Sequence, residues 1–563
     1  MKVVIVGGVA GGATAAARIR RLNEQAEIVV FERTGFISYA NCGLPYYIGG
    51  TITDPEELTL QTPQSFFTRF RVDMRVLHEV TAIHTDRKTV SVTNLQTGES
   101  FEESYDKLLL SPGAKAAIPN VPGADSKKLF TLRSVEDTFR IKEFVNENKP
   151  KSAILVGGGF ISVELAENLR DLGINVIIVQ RPKQLMNPYD SDMAAFIHSE
   201  VRKHGVQLML GHTVEAFEEC GNGMKVLLKD IGALYADMVV LAIGVTPDTR
   251  LAENAGLALG AKNSILVNER METSAADVYA VGDAVQVKHF VTGDDVLIPL
   301  AGPANKQGRI AADNICGGDS RYTGTQGSSV IKVFDMTAAS TGINETTAKK
   351  AGIAVDKVIL SPMSHAGYYP GGKVMTMKVI FEKESGRLLG AQIVGYEGVD
   401  KRIDVLATAI RCGMKAAELK DLELAYAPPY SSAKDPVNMA GYMADNVNKG
   451  VLKQWFMEDE AMLPRDGSVI LLDTRTVREF SRGHVEGFKN IPVDELRERI
   501  DEVEKGKPVY VICQSGLRSY ISCRILAGYG YDAYNFAGGF RFYDAVMNDR
   551  GLIEKALPCG MDM

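Results

Sequence analysis

The sequence of 563 residues lacks any apolar run long enough to cross a bilayer, which takes about 20 residues. It also lacks a basic excess: 63 lysines and arginines stand against 70 aspartates and glutamates, so the overall charge excludes a typical nucleic-acid-binding protein. The first twelve residues are apolar but contain four glycines, which is typical of a strand and turn and not of a signal peptide. We therefore expect a cytoplasmic protein with no membrane partner.

Cysteine is also scarce. Seven cysteines, an odd number, are scattered along the chain, so they do not form the paired framework typical of small secreted domains. We predict no metal site. Any cysteine with a function is expected to be reactive, and the alternative for each is a buried small apolar side chain. That alternative fits Cys220, Cys316, Cys412, Cys523 and Cys559.

A strand–turn–helix pattern at the N-terminus indicates a first nucleotide site. The apolar run Val3–Val6 leads into the glycine-rich turn Gly7–Gly12 and an alanine-rich helix, and the next strand ends at Glu32. Such a turn lets the backbone approach a pyrophosphate, and an acid about 20 residues further on binds a ribose hydroxyl. Val9 stands where a middle glycine is usual. The alternative is a glycine-rich turn that holds no ligand.

The same pattern recurs after residue 150 and indicates a second dinucleotide. The strand Ala153–Val156 leads into Gly157 and Gly159, with Ser162 at the third position of the motif. The following strand ends in Gln180-Arg181 instead of an acid. Because a missing carboxylate weakens the case for NAD, Arg181 or Lys183 could hold a 2′-phosphate. This favours NADPH, or tolerance of both nucleotides; the alternative is a pair of solvated side chains.

Cys42 lies a few residues beyond the second strand, in the segment Ser38–Tyr47, and is expected near the far end of the first nucleotide site. A helix that begins near Gly43 would favour the thiolate through its dipole. No second cysteine is close in sequence. The partner sulfur must therefore come from a substrate, or Cys42 must cycle through a sulfenic acid.

A second reactive cysteine is expected near the C-terminus. The strand Val509–Ile512 leads into a six-residue loop from Cys513 to Arg518, followed by a helix. Such a loop turns backbone N–H groups towards the sulfur, which stabilises a thiolate or persulfide.

These motifs carry a resemblance to known families. Residues 1 to about 447 resemble the coenzyme A-disulfide reductase branch of the pyridine nucleotide-disulfide oxidoreductases, through Gly7–Gly12, Ser38–Tyr47, Gly157–Glu164, Thr273–Ala284 and Tyr426–Tyr430. Residues from about 467 resemble a single rhodanese domain, through Leu472–Arg475, Gly483–Gly487, Asn490–Pro492, Gly538–Phe540 and the Cys513 loop.

The resemblance implies an α/β fold with two Rossmann-like dinucleotide-binding domains, an α+β dimerisation domain and a small α/β rhodanese domain. The predicted boundaries are 1–114 and 248–323 for the FAD-binding domain, 115–247 for the NAD(P)-binding domain, 324–447 for the dimerisation domain, 448–466 for a linker, and 467–563 for the rhodanese domain.

The resemblance also implies roles for individual residues. The catalytic set is Cys42, Cys513, Tyr368, Tyr426 and Arg518, with the tyrosines supplied by the partner subunit of a homodimer. Residues implied in cofactor binding are Gly7, Gly8, Val9, Ala10, Gly11, Gly12, Glu32, Arg33, Val80, Ser111, Pro112, Gly113, Gly157, Gly159, Phe160, Ile161, Glu164, Gly244, Gly282, Asp283, Pro299, Leu300 and Ala301.

Eight residues are implied in binding coenzyme A. Three of them, Thr14, Arg18 and Arg21, have a spacing that puts them on one face of the first helix, although a solvated charged face is the alternative. The full set is Thr14, Arg18, Arg21, Ser38, Asn41, Arg71, Asn305 and Lys434.

We therefore predict that electrons pass from NADH or NADPH through FAD to Cys42, which acts on a coenzyme A disulfide, coenzyme A persulfide or polysulfide. Cys513 is predicted to handle sulfane sulfur. One alternative is an NADH oxidase or peroxidase in which Cys42 forms a sulfenic acid. A second is a sulfurtransferase or redox-sensing scaffold.

Overall fold

The computed structural model describes residues 1–229 and 231–555, which fold as two units. The first unit comprises Met1–Arg181 and His212–Gly327, and the second comprises Pro182–Gly211 and the chain from Ser328 onward. Among the described residues no helix combines the length and the apolar character that a membrane span requires. The mixed α/β class expected from the motifs is confirmed.

The first unit is built around two parallel sheets. Strands of near-continuous valine, isoleucine and leucine form each sheet, as expected when helices cover both faces. The order of the N-terminal sheet is Val278–Ala280, Lys107–Leu110, Lys2–Val6, Glu27–Glu32 and Asp73–Val76. In the second sheet the neighbouring strands are Leu129–Thr131, Met238–Leu241, Ser152–Val156 and Asn175–Gln180.

Two short strands carry the chain between these sheets. Ala114–Ala116 and Val245–Pro247 pair antiparallel, with Lys115 opposite Thr246. The other strands of the unit are Ile37–Tyr39, Thr59–Gln61, His78–His84, Thr89–Asn94, Ser100–Ser104, Val214–Cys220, Gly223–Leu228, Gly232–Ala236, Ile265–Leu266, Val285–Lys288 and Asp295–Val296. Its α-helices are Ala10–Leu22, Leu44–Gly49, Pro63–Phe70, Val135–Asn148, Phe160–Asp171, Arg250–Asn254 and Ala301–Ile315.

Close packing explains the glycine at the end of the first turn. A Cβ on Gly12 would lie 1.9 Å from the carbonyl oxygen of Gly7, so no larger residue fits between the turn and the helix. At Gly159, in the second turn, a Cβ would meet no atom within 4 Å. The space beside Gly159 is therefore open, as a site for close approach of a ligand requires.

The second unit contains an antiparallel and a parallel sheet. The antiparallel order is Ser329–Val333, Met336–Gly342, Leu388–Gly395, Met375–Glu382 and Val355–Leu360. The parallel order is Gln454–Trp455, Ala533–Phe536, Val509–Ile512, Ile470–Asp473 and Lys489–Asn490. A further strand spans Gln207–Leu210. The α-helices are Ser191–Lys203, Glu345–Lys350, Val399–Arg411, Pro436–Asn448, Val477–Ser481, Leu517–Gly528 and Gly539–Lys555.

The segment 448–466 differs from the linker expected there. Its strand Gln454–Trp455 pairs with Ala533–Phe536 at the edge of the C-terminal sheet, and Trp455 is buried against Phe536 with ring centroids 4.4 Å apart. Because the strand has only two residues and lies in a segment of mixed polar composition, the sequence carries no pattern that predicts it. Residues 556–563, which include Cys559 and the end of the domain expected at 467–563, lie outside the described residues.

Lys378 is a fully buried lysine in the antiparallel sheet of the second unit. Its Nζ lies 2.8 Å from Asp192 and 3.1 Å from Asp190, and it also contacts Glu345. These carboxylates outweigh burial and raise the pKa of Lys378 above its usual value. A buried charge is tolerated only when it is paired in this way, so the cluster holds Asp190 and Asp192 on the sheet.

Candidate active site

A cavity of about 920 Å³ runs through the first unit from the N-terminal turn to Cys42. Fifteen of the residues expected to bind cofactors line it, which is the most extensive agreement between the motifs and the structure. They are Gly7, Val9, Ala10, Gly11, Glu32, Arg33, Val80, Ser111, Pro112, Gly113, Gly282, Asp283, Pro299, Leu300 and Ala301. One continuous space can therefore hold an extended dinucleotide whose far end reaches the sulfur.

Glu32 lies where an acid for a ribose hydroxyl is expected. Its carboxylate accepts hydrogen bonds from the backbone N–H of Gly8 at 2.9 Å and from the N–H of Thr34 at 2.9 Å. Ser38 N–H in turn donates to the Gly8 carbonyl at 2.9 Å. The turn, the acid and the start of the Cys42 segment are thus joined by hydrogen bonds. These residues fit the adenosine end of FAD.

At the Cys42 end of the cavity the charged groups are Asp283 and Arg133. Arg133 Nη2 donates to Asp283 at 2.6 Å. With its amide oriented to satisfy both groups, Asn41 accepts from Arg133 Nη1 at 2.6 Å and donates to the Arg133 carbonyl at 3.2 Å. Arg133 therefore joins Asp283, one of the residues implied in cofactor binding, to Asn41, the residue that precedes Cys42.

The environment of Cys42 differs from the one expected from the helix dipole. The helix begins at Leu44, but it has only six residues and the sulfur does not gain a lower pKa. Burial raises the pKa of the Cys42 thiol, Glu164 and Asp283 raise it further, and Arg133 opposes them. The protein residues described here therefore disfavour a thiolate at Cys42, because loss of hydration and the nearby acids outweigh the charge of Arg133.

Glu164 and Tyr46 form a second titratable pair beside Cys42. Burial, with a smaller effect of Glu167, raises the pKa of Glu164 to about 7. Burial and the charge of Glu164 raise the pKa of Tyr46 to about 12, and the charge of Cys42 acts in the same direction. Glu164 thus changes its charge near neutral pH within electrostatic reach of the sulfur.

The second nucleotide turn, at residues 157–159, leads directly into the helix Phe160–Asp171. The backbone is left-handed at Gly157 and Gly244, with φ of +119° and +121°. At the end of the next strand, Gln180 accepts a hydrogen bond from the backbone N–H of His212 at 3.2 Å, and Arg181 is exposed with no carboxylate partner among the described residues. The edge of this site is basic, whereas the edge of the first carries Glu32.

Five of the eight expected substrate residues line the cavity, namely Thr14, Arg21, Ser38, Asn41 and Asn305. Thr14 donates to Asn305 at 2.5 Å, which fixes both at the cavity wall. The other three do not line it. Arg18 pairs with Asp313 at 2.7 Å, Arg71 lies over the Phe67 ring, and Lys434 belongs to the second unit.

The two expected catalytic tyrosines lie together in the second unit. The hydroxyls of Tyr368 and Tyr426 are 2.8 Å apart, although the residues are 58 positions apart in the chain. Both are exposed, Tyr368 by 76% of its surface and Tyr426 by 46%. The hydrogen bond between the two hydroxyls raises the pKa of Tyr426. Because one hydroxyl of the pair donates to the other, one O–H is left to donate to an incoming group.

The Cys513 loop has the geometry that its sequence predicts. Cys513 is fully buried, and its Sγ accepts hydrogen bonds from the Gly516 N–H and the Ser519 hydroxyl, each at 3.2 Å. Gly516 has a φ of +98°, which favours glycine, and Phe540 N–H donates to the Cys513 carbonyl at 2.6 Å. Arg518, at the end of the loop, is paired with Glu479.

Sequence reasoning missed Arg133, Tyr46 and Glu479. No motif marks Arg133, because its partner Asp283 is 150 residues away. Tyr46 lay within the quoted segment but had no assigned partner. For Glu479 a signal exists: Thr476 and Glu479 form a capping box that predicts the helix Val477–Ser481, but not the pairing with Arg518.

Comparison with family models covers most of the chain. Residues 1–308 match the model described as pyridine nucleotide-disulphide oxidoreductase, residues 328–436 match its dimerisation domain, and residues 458–545 match the rhodanese-like domain. Among curated proteins, the coenzyme A disulfide reductase of Staphylococcus aureus strain JH9 is 38% identical over 445 residues, which are 79% of this chain and 99% of that protein.

Three solved structures are informative. Reduced CoADR-RHD of Bacillus anthracis has a TM-score of 0.95 and 49% identity, with 98% of each chain covered. A NAD-dependent persulfide reductase from A. fulgidus has a TM-score of 0.91 and 36% identity over 96% of this chain and 100% of that one. An engineered water-forming NADPH oxidase, made from LbNOX, has a TM-score of 0.77 and 28% identity over 80% of this chain and 100% of that one.

Proposed function

The chain belongs to the pyridine nucleotide-disulphide oxidoreductase family, whose members use FAD and a nicotinamide nucleotide, and from that premise we propose that it reduces a coenzyme A-linked sulfur–sulfur bond at Cys42. The observation that carries the proposal is the single cavity that joins the nucleotide turn to Cys42. The names of the S. aureus and B. anthracis relatives supply the substrate class.

The proposed chemistry is a thiol–disulfide exchange. The Cys42 thiolate attacks one sulfur of a coenzyme A disulfide, the original S–S bond breaks, a Cys42–S–S–CoA bond forms, and coenzyme A thiolate leaves. FAD, when bound, would supply the electron pair that breaks the S–S bond of this mixed disulfide, which releases the second coenzyme A thiolate and returns Cys42 to its thiolate. Arg133 holds Asn41 and Asp283 in place beside this reaction.

Binding of coenzyme A is assigned to the polar wall of the cavity. Arg21 and the linked Thr14–Asn305 pair offer donors for phosphate and amide groups. Arg18 contributes only if it leaves Asp313. Arg71 and Lys434 remain candidates for the outer part of the ligand.

We propose that the active protein is a cytoplasmic homodimer. The match of residues 328–436 to a dimerisation domain supports the dimer. In this arrangement the Tyr368–Tyr426 pair of one subunit donates a hydrogen bond to the coenzyme A thiolate that leaves as the sulfur–sulfur bond at Cys42 of the other subunit breaks. Their exposure and their mutual hydrogen bond are suited to that role.

We propose that NADPH is accepted at least as well as NADH. Arg181 stands beside Gln180, where an NAD site carries an acid. In the engineered NADPH oxidase, replacements include an aspartate by alanine and the next residue, an alanine, by arginine. This chain carries a comparable uncharged–arginine pair naturally.

For the C-terminal domain we propose sulfur transfer through Cys513. Its two hydrogen bonds stabilise a thiolate or persulfide, and the persulfide reductase similar to this chain supports coenzyme A persulfide or polysulfide as a further substrate. A second candidate function is an oxidase with a Cys42 sulfenic acid, which similarity to the water-forming oxidase favours.

Mass spectrometry of the oxidised, FAD-loaded protein separates these functions. A coenzyme A adduct on Cys42 that disappears on NADPH addition is the expected result. A sulfenic acid on Cys42, with no adduct after incubation with coenzyme A disulfide, would instead select the oxidase.

A further inference from the structure

Glu479 neutralises the arginine of the Cys513 loop. Arg518 Nη1 and Nη2 donate to its two carboxylate oxygens at 2.8 and 2.7 Å, a bidentate pair. Glu479 is held in turn by the Thr476 N–H at 3.0 Å and the Thr476 hydroxyl at 2.8 Å. The capping box at the start of the helix Val477–Ser481 therefore fixes the position of the Glu479 carboxylate beside Arg518.

Arg475, the second arginine beside the loop, is neutralised as well. It is buried, and Nη2 lies 2.7 Å from Asp473, which accepts from Nε also. Its guanidinium stacks 3.8 Å above the Phe540 ring. The remaining loop residues, Gln514 to Leu517, carry no charge.

The electrostatic neighbour of the sulfur is Arg518. Hydrogen bonding to Glu479 is the largest cause that raises the pKa of Arg518, and the charge of Cys513 also contributes. The backbone N–H of Arg541 donates to the Gln514 carbonyl. Burial lowers the pKa of Arg541, and the charge of Tyr396 opposes this shift. Arg518, the arginine whose charge interacts with Cys513, is therefore already paired with Glu479.

This arrangement opposes a small, highly charged sulfur donor. Cys513 is fully buried, so a donor must lose hydration to reach its sulfur. Thiosulfate would bring two negative charges next to the Glu479 carboxylate, and the two arginines nearest the loop in these contacts, Arg518 and Arg475, are already paired with carboxylates. A protonated persulfide, R–S–S–H, brings no charge at its outer sulfur and needs only the loop's hydrogen-bond donors.

We infer that Glu479 makes the Cys513 loop selective for thiol-bound persulfides over thiosulfate. In the transfer, the Cys513 thiolate attacks the outer sulfur of R–S–S–H, the donor S–S bond breaks, RS⁻ leaves, and Cys513 becomes Cys513–S–S–H. The inference rests on the proposed role of Cys513 as a sulfur carrier and names the class of donor.

The test measures the rate of Cys513 persulfide formation by mass spectrometry in the full-length holoenzyme, with glutathione persulfide or thiosulfate as donor. In the parent protein, loading from thiosulfate is expected to be at least about tenfold slower. Glu479→Gln is expected to raise the thiosulfate rate about fivefold or more, while the persulfide rate changes less than about twofold. Glutamine at this position keeps the capping box, so the helix is retained.

Two control variants separate charge from structure. Glu495→Gln removes a carboxylate of the same domain that pairs with Arg499, and it should change neither rate. In Glu479→Gln/Arg518→Gln the gain with thiosulfate should vanish, because the released guanidinium is gone. Equal loading of the parent protein from both donors, or no gain in Glu479→Gln, would overturn the donor assignment. Loading from neither donor would overturn the carrier role itself.

Discussion

Cys42 and Cys513 differ in solvent exposure and in the groups that surround each sulfur. Cys42 is exposed to a large cavity, and nearby acids together with burial of the thiol raise its pKa. Cys513 is fully buried, and two hydrogen-bond donors of its own loop point at the sulfur. The Cys42 sulfur is accessible, but the nearby protein groups do not stabilise its thiolate. The Cys513 sulfur receives two hydrogen bonds, but it is enclosed.

The difference supports the separate tasks that we propose for the two cysteines. An accessible sulfur at the end of a dinucleotide cavity suits exchange with a large disulfide, in which the bound cofactor provides the activation. An enclosed sulfur cradled by N–H and O–H groups suits storage of a reactive sulfane sulfur. The following variants break or sharpen this division.

The largest effect is expected from Cys42→Ser. Reduction of coenzyme A disulfide by NADPH should fall by roughly 10³-fold, because a serine hydroxyl cannot form the mixed disulfide. Cys513→Ser should retain the activity within about twofold, since chemistry at the two sites is separate. Steady-state kinetics on both FAD-loaded variants measures the difference. Similar losses in both would abolish the division.

Tyr426→Phe is expected to reduce turnover of coenzyme A disulfide by about 10²-fold through loss of a hydrogen-bond donor to the leaving thiolate. Tyr442→Phe, which alters another exposed tyrosine of the same unit, is the matched control and should have no effect. The measured quantity is kcat. An unchanged kcat in Tyr426→Phe would remove the tyrosine from the mechanism.

Ser519→Ala removes one of the two hydrogen bonds to Cys513. A hydrogen bond to a charged group contributes about 1.5 kcal/mol, so we expect persulfide loading of Cys513 at pH 7 to slow about tenfold. Ser522→Ala, a buried serine of the same helix that donates to the Arg518 carbonyl instead, should load normally. Mass spectrometry of Cys513 persulfide after a timed incubation with glutathione persulfide measures the loading rate of each variant.

The smallest effect is expected from Glu164→Gln. The pKa of Glu164 is raised to about 7, so this carboxyl gains its negative charge as pH rises through that value and then opposes ionisation of Cys42. Glutamine should therefore lower the Cys42 pKa and increase its alkylation at pH 8 by about threefold, and less at pH 6. Glu147→Gln, on the exposed side of another helix, serves as control. If the Cys42 pKa in Glu164→Gln equals that of the parent protein, the charge of Glu164 does not influence Cys42.

The parts of the molecule encoded by local patterns were predicted well. The strand that ends at Glu32, the turn at Gly7–Gly12 and the hydrogen-bonded loop after Cys513 each depend on residues close in sequence. Their geometry follows from strand, glycine and helix-start signals that neighbouring residues carry.

The parts that depend on distant residues were not predicted. The ion pair of Arg133 with Asp283 and the pairing of Arg518 with Glu479 join segments far apart in the chain, and neither partner marks the other. The raised pKa of Cys42 arises in the same way, because Glu164 and Asp283 reach it only through folding. The strand Gln454–Trp455 is too short to show a period.

Anaerobic reductive titration with dithionite tests most directly whether Cys42 stores reducing equivalents beside the flavin. The FAD-loaded parent protein, oxidised with coenzyme A disulfide, should take up two electron pairs per flavin, and Cys513→Ser should do the same. Cys42→Ser should take up one. If the parent protein consumes only one pair, Cys42 holds no reducible sulfur–sulfur bond and the account is contradicted.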